Sequence, residues 1–437
     1  MIDFVKKIIN KYIGDSAYKK NILLMSGGRV VAQLIPILIT PIITRIYSPE
    51  EFGLFAVFLT IASFIAMISN GRYCLAILLP KKKINAQRLV LISIIFTSIV
   101  SLLFVVLVWI FKNQFLSLFN IQKLDGHLSL FFLTILFIGF HEALYYYFLR
   151  EKRYKKLAIF AIIQAITMIS VRLILGLMGN TNTGLIVSYL SGYSISTVLL
   201  LSNLDFKFNI KFTSGNFKKL IIRYISFLKY SLFSDSLSVL ASTSPNVLIN
   251  KVFGSTSAGY FSLSEKVLGS PIWFVTSSVS DVFKQEFSEQ NRRGKDCKIL
   301  FLKTFKTLLF IGLIPFTFIF ILSPYVITPL LGEVWSPVGE YIRIFSIMYY
   351  SSFVVNPLKS VAYLIKKQQY MIVFELLKLI SIISAFSMGF YLKDIKIVLI
   401  LWSLLVTFVN IIIFLIIYRL VKEMSNERKN QKNTTIN

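Results

Sequence analysis

The stretch LVLISIIFTSIVSLLFVVLVWIF, residues 89–111, holds 23 residues without one charged side chain. At a rise of about 1.5 Å per residue, a helix of this length crosses the ~30 Å hydrocarbon core of a bilayer. A helix also satisfies its own backbone hydrogen bonds in lipid, and no alternating strand pattern is visible, so the stretch predicts a membrane-spanning helix.

The composition of the whole chain agrees with this interpretation. Of the 437 residues, 56% are hydrophobic and only 15% are charged, and the mean hydropathy is +0.72. Soluble domains carry about 25% charged residues. A water-soluble globular domain is therefore excluded, and an all-α integral membrane protein with about 12 transmembrane helices is predicted. The predicted spans are 22–44, 53–70, 89–111, 128–149, 157–178, 184–204, 225–249, 259–283, 299–322, 340–364, 370–391 and 397–418.

The connecting segments predict the topology of the chain. With the N-terminus in the cytoplasm, the cytoplasmic segments hold 34 Lys and Arg residues and the external loops hold six. Such a bias, with an even number of spans, places both termini inside. The net charge of +27 is then explained by topology and by contact with anionic lipids, rather than by nucleic acid. Cys74 and Cys297 fall near predicted cytoplasmic loops, so no disulfide is expected.

The chain repeats itself at an offset of 206 residues. The corner Ile42–Phe55 aligns without gaps on Leu248–Phe261, so that Gly53 matches Gly259. Six spans lie between equivalent points, which indicates a parallel repeat related by an axis along the membrane normal. A chance likeness of two helix–turn–helix corners is the alternative. The repeat predicts an N-lobe at 22–204 and a C-lobe at 225–418, with a substrate site between the halves. The flanking segments are predicted as an amphipathic segment at 1–21, a linker at 205–224 and a basic tail at 419–437.

Three motifs of the first half resemble the O-antigen and polysaccharide flippases. They are TRIYSPEEFGLF (Thr44–Phe55), NGRYCLAILLPKKK (Asn70–Lys83) and REKRYKK (Arg150–Lys156). Residues 227–275 are similar to the seventh and eighth helices of that family. The resemblance implies two six-helix lobes around a central cavity. It also implies translocation of undecaprenyl-diphosphate-linked oligosaccharide across the bacterial inner membrane. Cys74 departs from the family, which often carries an acidic residue there.

The first span carries a polar stripe, which predicts one wall of the cavity. Its members are Ser26, Arg29, Gln33, Pro36 and Thr40. They follow helical spacing and so share one face. Arg29 lies near the cytoplasmic end, where its guanidinium could bind a diphosphate headgroup in bidentate fashion. The alternative is an arginine that snorkels to the interface.

Charged residues inside the other spans are further candidates, because each costs at least about 2.5 kcal/mol at the bilayer centre unless it is paired or hydrated. Arg172 is predicted to line the cavity or to snorkel outward. Lys266 and Arg343 are predicted to add positive charge that suits an anionic substrate.

The seventh span carries a serine stripe that includes Ser234 and Ser238, with Asp235 on the same face. Asp235 is predicted to bind the coupling ion, and the alternative is a salt bridge to Arg172, Lys229 or another cation. Glu142 and Glu265 are further coupling candidates.

The leading functional hypothesis is a lipid-linked oligosaccharide flippase driven by an H⁺ or Na⁺ gradient. Other polysaccharide-assembly proteins are further expected partners, and no cofactor, metal or nucleic acid is expected. A multidrug or cation antiporter of the same superfamily is the second hypothesis. A membrane glycan polymerase is the third, disfavoured because the longest external loop, residues 112–127, carries few titratable groups.

Overall fold

The computed structural model of the protein describes residues 17–205, 214–365, 367 and 369–434. Side chains are described for these residues except 17–29, 214–216, Tyr230, Ser234, Phe390 and 427–434. The predicted amphipathic segment at 1–21 therefore lies mostly outside the described residues, as does part of the predicted linker.

Twelve long helices make up most of the described chain, and those residues contain no β-strand. In chain order they are α1 (Ala17–Ile46), α2 (Pro49–Ser69), α3 (Lys83–Ile110), α4 (Ser129–Arg150), α5 (Tyr154–Leu177), α6 (Thr181–Ser202), α7 (Leu232–Phe253), α8 (Ser255–Arg292), α9 (Cys297–Leu331), α10 (Ser336–Lys359), α11 (Gln369–Leu392) and α12 (Ile395–Thr434). Each of these helices contains or largely overlaps one predicted span.

Shorter helical pieces connect several of the long ones. They are Tyr73–Ala76, Lys112–Phe119, Gln122–His127, Ser214–Arg223, Phe227–Ser231, Glu333–Trp335 and Val361–Leu364. Phe227–Ser231 is a single π-helical turn that runs directly into α7. Such turns are rare and occur frequently at functional sites.

Two helix ends differ from the predicted span ends. α8 continues to Arg292, past residue 283, and α12 continues to Thr434, through most of the predicted basic tail. Both extensions are polar, so hydropathy marks the end of the apolar window but not the end of the helix. Apolar length and composition alone qualify eight of the described helices as membrane-spanning, and the segment Val30–Ile46 is a shorter apolar helix.

The start of α2 illustrates how local sequence begins a helix. The Ser48 N–H donates to Glu51 Oε2 at 2.7 Å, and the Glu51 N–H donates to Ser48 Oγ at 3.3 Å. This is a capping box, and Pro49 occupies the first helical position, where its missing N–H has no cost. The sequence Ser-Pro-Glu-Glu therefore begins α2 sharply after the end of α1.

The chain divides into two compact units. The first contains residues up to Tyr47 and Val57–Ser236, and the second contains Ser48–Ala56 and Leu237–Asn437. In the first, Tyr73, Tyr147 and Phe148 belong to a core of fully buried side chains. In the second, Phe287, Phe301 and Phe374 belong to a separate core of fully buried side chains. The predicted lobe boundaries stay a prediction.

Large apolar side chains are also exposed on the outer surface of each unit. Trp109 is 72% exposed and Leu177 79% in the first unit, and Phe310 is 65% exposed in the second. A soluble protein would expose such a surface to water and aggregate. Lipid tails solvate it, which is consistent with helices that lie in a bilayer.

The repeat-related corners meet in a reciprocal contact inside the second unit. A Cβ added at Gly53 would overlap the carbonyl oxygen of Ser255, and one added at Gly259 would overlap that of Pro49. The offset of 206 pairs position 49 with 255 and position 53 with 259, so the contact of 53 with 255 and the contact of 259 with 49 are repeat-related counterparts of each other. This is the pattern that a local two-fold axis produces, and it supports a true internal repeat over a chance likeness.

Candidate functional site

The clearest cluster of charged side chains is in the first unit and centres on Arg72. The Arg72 Nε donates to Asp235 Oδ2 at 2.7 Å, and its Nη2 lies 2.5 Å from the same oxygen. Nη1 lies 3.3 Å from Glu142 Oε1. One guanidinium therefore joins carboxylates from α4 and from the first turn of α7.

The turn Asn70–Arg72 holds this guanidinium in place. Gly71 and Arg72 have φ of +56° and +58°, the left-handed region that a non-glycine residue rarely adopts. The Arg72 N–H donates to Asn70 Oδ1 at 2.9 Å, which stabilises the turn. The Asn70 Nδ2 donates to Glu142 Oε2 at 2.6 Å. Asn70, which is fully buried, thus fixes both the backbone of Arg72 and one of its acidic partners.

The cluster is only partly shielded from its surroundings. The side chains of Arg72, Glu142 and Asp235 are 15%, 24% and 34% exposed. The Cys74 Sγ lies 3.5 Å from Asn70 Oδ1, and the Tyr73 hydroxyl donates to the Ile221 carbonyl at 3.3 Å. The turn after α2 therefore also contacts the short helix Ser214–Arg223.

The prediction that Asp235 and Glu142 are coupling candidates is not tested by this geometry, but the two residues do come together. The alternative stated for Asp235, a salt bridge to another cation, is present, and that cation is Arg72. Neither Arg72 nor Asn70 was selected from the sequence, because Arg72 was counted among the basic residues that set topology. The signal available was the Asn-Gly-Arg triplet at the end of a span, since Asn-Gly marks a tight turn.

Arg172 lies away from this cluster. It is 3% exposed, its Nε donates to Ser188 Oγ at 3.2 Å, and its carbonyl accepts from the Tyr47 hydroxyl at 2.7 Å. Arg172, in α5, is thus connected to α6 through its side chain and to Tyr47, the residue after α1, through its backbone carbonyl. A role for Arg172 in substrate binding stays a prediction.

The remaining predicted cations and acids are in the second unit. Arg343 is exposed, and its guanidinium lies 4.9 Å from the centre of the Phe320 ring. Glu265 hydrogen-bonds the side chain of Asn246, which is 8% exposed. Lys266, the neighbour of Glu265 in α8, is partly buried. Their assignment to substrate or ion binding stays a prediction.

The polar stripe of the first span is only partly described. The side chains of Arg29 and Ser234 lie outside the described residues. Gln33 and Ser238 are exposed. Thr40 is buried, and its hydroxyl donates to the Pro36 carbonyl at 2.7 Å within its own helix. Their assignment to a cavity wall stays a prediction. A cluster of His, Cys, Asp or Glu that could hold a metal ion is absent from the described part of the chain.

A second charged cluster lies near the C-terminal end of α4, around Asp205. This carboxylate forms ion pairs with Lys83 and, at 3.2 Å, with Arg153, and it accepts from the Tyr147 hydroxyl at 2.8 Å. Burial alone would raise the pKa of Asp205, but the hydrogen bonds from Lys83 and Tyr147 outweigh it and lower that pKa below its usual value. The cluster joins residues at the ends of α3, α4, α5 and α6.

Sequence comparisons identify related proteins. Residues 42–340, which are 299 of the 437 residues, match the family described as "Polysaccharide biosynthesis protein". The succinoglycan biosynthesis transport protein ExoT of Rhizobium meliloti (strain 1021) is 24% identical over 263 residues, 58% of this chain and 51% of that protein. The amylovoran biosynthesis protein AmsL of Erwinia amylovora is 29% identical over 123 residues, 27% of this chain and 31% of that protein. The aligned regions thus span about half and about a third of these relatives.

Solved structures share the fold over nearly the whole chain. The lipid II flippase MurJ, in its inward closed conformation, matches with a TM-score of 0.71 over 91% of this chain and 86% of that one, at 14% identity. An inward-facing multidrug resistance MATE family transporter of the MOP superfamily matches with a TM-score of 0.61 over 98% and 99%, also at 14% identity. The fold confirms the prediction of an all-α multi-pass membrane protein with about twelve spanning helices.

Proposed function

Because the chain belongs to the polysaccharide biosynthesis protein family, we propose that it is a flippase for a lipid-linked oligosaccharide. It moves an undecaprenyl-diphosphate-linked repeat unit, of O-antigen or capsule, from the cytoplasmic to the periplasmic face of the bacterial inner membrane. It does so by alternating access, driven by an H⁺ or Na⁺ gradient. The names of the succinoglycan transport protein and of the lipid II flippase support this proposal.

The observation that carries the proposal is the Arg72 cluster inside a membrane-spanning unit. Ionisable side chains in spanning helices are costly and rare, and they mark substrate or ion pathways. Glu142 and Asp235 supply carboxylates that a proton or a sodium ion can occupy, and each lies within 3.3 Å of the guanidinium of Arg72. When a cation occupies one of these carboxylates, the electrostatic attraction between that carboxylate and Arg72 weakens. This provides a way to link ion binding to conformation.

The predicted topology specifies which segments of the chain face the cytoplasm in this proposal. The basic segments between the helices face the cytoplasm and contact anionic lipid headgroups, and other polysaccharide-assembly proteins supply and use the lipid-linked unit. Both termini lie in the cytoplasm in this arrangement, because the predicted number of spans is even.

The decisive experiment measures on which face lipid-linked oligosaccharide accumulates in a strain that lacks this chain. We expect finished units to accumulate at the cytoplasmic face and to be released when the gene is restored. Variants Glu142→Gln and Asp235→Asn should restore little or no export. The matched control is Asp281→Asn, since Asp281 is 77% exposed and pairs only locally with Lys284. If finished units still reach the external face without being polymerised, the protein acts after translocation and the polymerase hypothesis replaces this one.

A multidrug antiporter is the second candidate, because the MATE transporter shares the fold over 98% of this chain. The deletion strain would then become more sensitive to cationic drugs, with normal surface polysaccharide. We expect the reverse, a loss of surface polysaccharide with unchanged drug sensitivity.

A further inference from the structure

A buried lysine lies at the end of α10, in the second unit. Lys359 is 7% exposed, and the nearby Leu358 and Val361 belong to the same apolar core as Phe374 of α11. Lys378 follows Phe374 by one helical turn and so lies on the same face of α11. The core that packs these two helices together therefore brings the two lysines close to each other.

The side chains of Lys359 and Lys378 are in hydrogen-bond contact. An ammonium group has three donors and no acceptor, so two ammonium groups cannot hydrogen-bond to each other. A neutral amine has a lone pair that accepts a hydrogen bond. The contact thus requires one of the two amines to be neutral, and the pair carries a single positive charge.

The charges around the pair fit this single positive charge. In the described part of the chain, the charged groups that act on the Lys359 amine are Lys378 and Glu375, both on α11, although α8, α9 and α12 also pack against α10. One positive charge and the carboxylate of Glu375 sum to zero. Two ammonium groups would leave an uncompensated positive charge, which is costly inside a spanning unit.

α10 is interrupted next to Lys359. Pro357 has no N–H, so the helix loses one backbone hydrogen bond there. α10 ends at Lys359, and the short helix Val361–Leu364 follows after Ser360, whose hydroxyl donates to the Pro357 carbonyl at 2.9 Å. Helices bend at such proline positions. The amine of Lys359 therefore lies beside a point where the chain can change direction.

We propose that Lys359 and Lys378 form a proton-binding site of the second unit, in which the pair carries one positive charge in this conformation and takes up a second proton during transport. The proton adds to the lone pair of the neutral amine and reaches it through Lys378, the more exposed of the two. This inference rests on the proposed function, because it assigns a binding site to the H⁺ of the driving gradient. It adds amines of the second unit to the carboxylates of the first.

Uptake of the second proton breaks the contact between the two lysines. Two ammonium groups repel each other, and neither can accept a hydrogen bond from the other. Lys378 is partly exposed and can move toward water, whereas Lys359 is enclosed by the core. Protonation therefore separates this part of α11 from the end of α10, next to the interruption at Pro357.

The test measures the reactivity of the amines in the full-length chain in phosphatidylcholine nanodiscs. Trace amounts of isotopically labelled acetic anhydride acetylate neutral amines and not ammonium groups, and mass spectrometry gives the rate at each lysine. Between pH 7 and pH 9 the rate at an ordinary exposed lysine rises by about a hundredfold. The rate at Lys378 should change by less than about threefold over the same range, because the pair already contains a neutral amine.

The variant Lys359→Met removes the partner that shares the proton. Lys378 then keeps its own proton beside Glu375, so its rate at pH 7 should fall by about a hundredfold or more and should regain the steep rise with pH. The matched control is Lys306→Met, at an exposed position of α9, which should leave the profile of Lys378 unchanged. A steep profile in the wild type refutes the shared proton, and this measurement decides even if Lys359→Met folds poorly.

An anion held between two ammonium groups is the opposing explanation. Both lysines would then be charged, the wild-type profile of Lys378 would be steep, and inorganic pyrophosphate would slow its acetylation. The shared proton predicts a flat profile and no protection by pyrophosphate. Protection combined with a steep profile therefore overturns the proposal.

The role in transport is tested separately in the deletion strain. At equal amounts of inserted protein, Lys359→Met and Lys378→Met should restore little or no export, and Lys306→Met should restore it fully. A flat profile of Lys378 with normal export by both variants overturns the transport role. A flat profile with unchanged sidedness in the deletion strain refutes the proposed function and leaves the shared proton in place, and a steep profile with the expected sidedness does the reverse.

Discussion

Substitution of Gly259 by alanine tests the reciprocal crossing of α2 and α8. The added Cβ would overlap the carbonyl oxygen of Pro49, and it would lie 2.7 Å from the Pro49 carbonyl carbon and 3.1 Å from the Gly53 nitrogen. Ordinary contact begins at 3.4 Å, so the carbonyl carbon must move by at least 0.7 Å, which is 3.4 minus 2.7. All three obstructing atoms are backbone, and none can rotate away.

The magnitude follows from two opposing effects. Overpacking costs about 1–3 kcal/mol, and the upper end applies where backbone must move. Alanine is a better helix former than glycine by about 1 kcal/mol, which offsets part of this cost. We therefore expect Gly259→Ala to lower the free energy of unfolding by about 1–2 kcal/mol.

Thermal unfolding of the purified protein in one detergent measures the effect as a lowered Tm. The matched control is Gly126→Ala, because a Cβ at Gly126 would meet nothing within 4 Å and Gly126 is not among the glycines with positive φ. It should leave the Tm unchanged or raise it slightly. The double variant Gly53→Ala with Gly259→Ala should cost less than the sum of the single variants, since one separation relieves both clashes. A Gly259→Ala protein as stable as the wild type would refute the crossing.

Three further predictions concern hydrogen-bonded side chains outside the Arg72 cluster. Ser48→Ala removes one half of the capping box of α2 and should cost about 1 kcal/mol, measured by thermal unfolding, whereas Ser117→Ala in an exposed helix should not. Ser188→Ala removes the acceptor of the buried Arg172 Nε and should cost about 1–3 kcal/mol, and an unchanged Tm would contradict the contact. Asp205 has a lowered pKa, so its contribution to stability is fully present above the unfolded pKa of about 3.9 and is lost as the pH falls through the folded pKa. The Tm difference between wild type and Asp205→Asn should therefore be constant above about pH 5 and should shrink as the pH falls below about 4, and a difference independent of pH would rule out the ionised pairs.

Hydropathy predicted the helices well because a spanning helix needs an uninterrupted apolar length. The ends of α8 and α12 were not predicted, because hydropathy does not detect a polar helix that continues beyond the bilayer. The repeat was visible because the aligned corners keep glycine at 53 and 259 and phenylalanine at 55 and 261. Each of these glycines lies against a backbone carbonyl of the other corner.

The contacts of the charged residues could not be predicted in the same way. Asp235 lies 163 positions from Arg72 in the chain, and no local pattern specifies which cation will meet it. Arg72 was not selected as a site residue, because the topology of the chain already explains a basic residue beside a span. Arg172 is the converse case, because a cation deep in a span is visible in the sequence while its hydrogen bond to Ser188 is not.

The two cysteines of the chain make it a favourable subject for chemical labelling. Cys74 and Cys297 are both fully buried. Burial, together with the charge of Glu142, raises the pKa of the Cys74 thiol, which keeps it in its unreactive protonated form. A maleimide added to the native protein should find neither thiol. Single cysteines introduced into the loops would then report the sidedness of each loop against a silent background, with no need to remove the native pair.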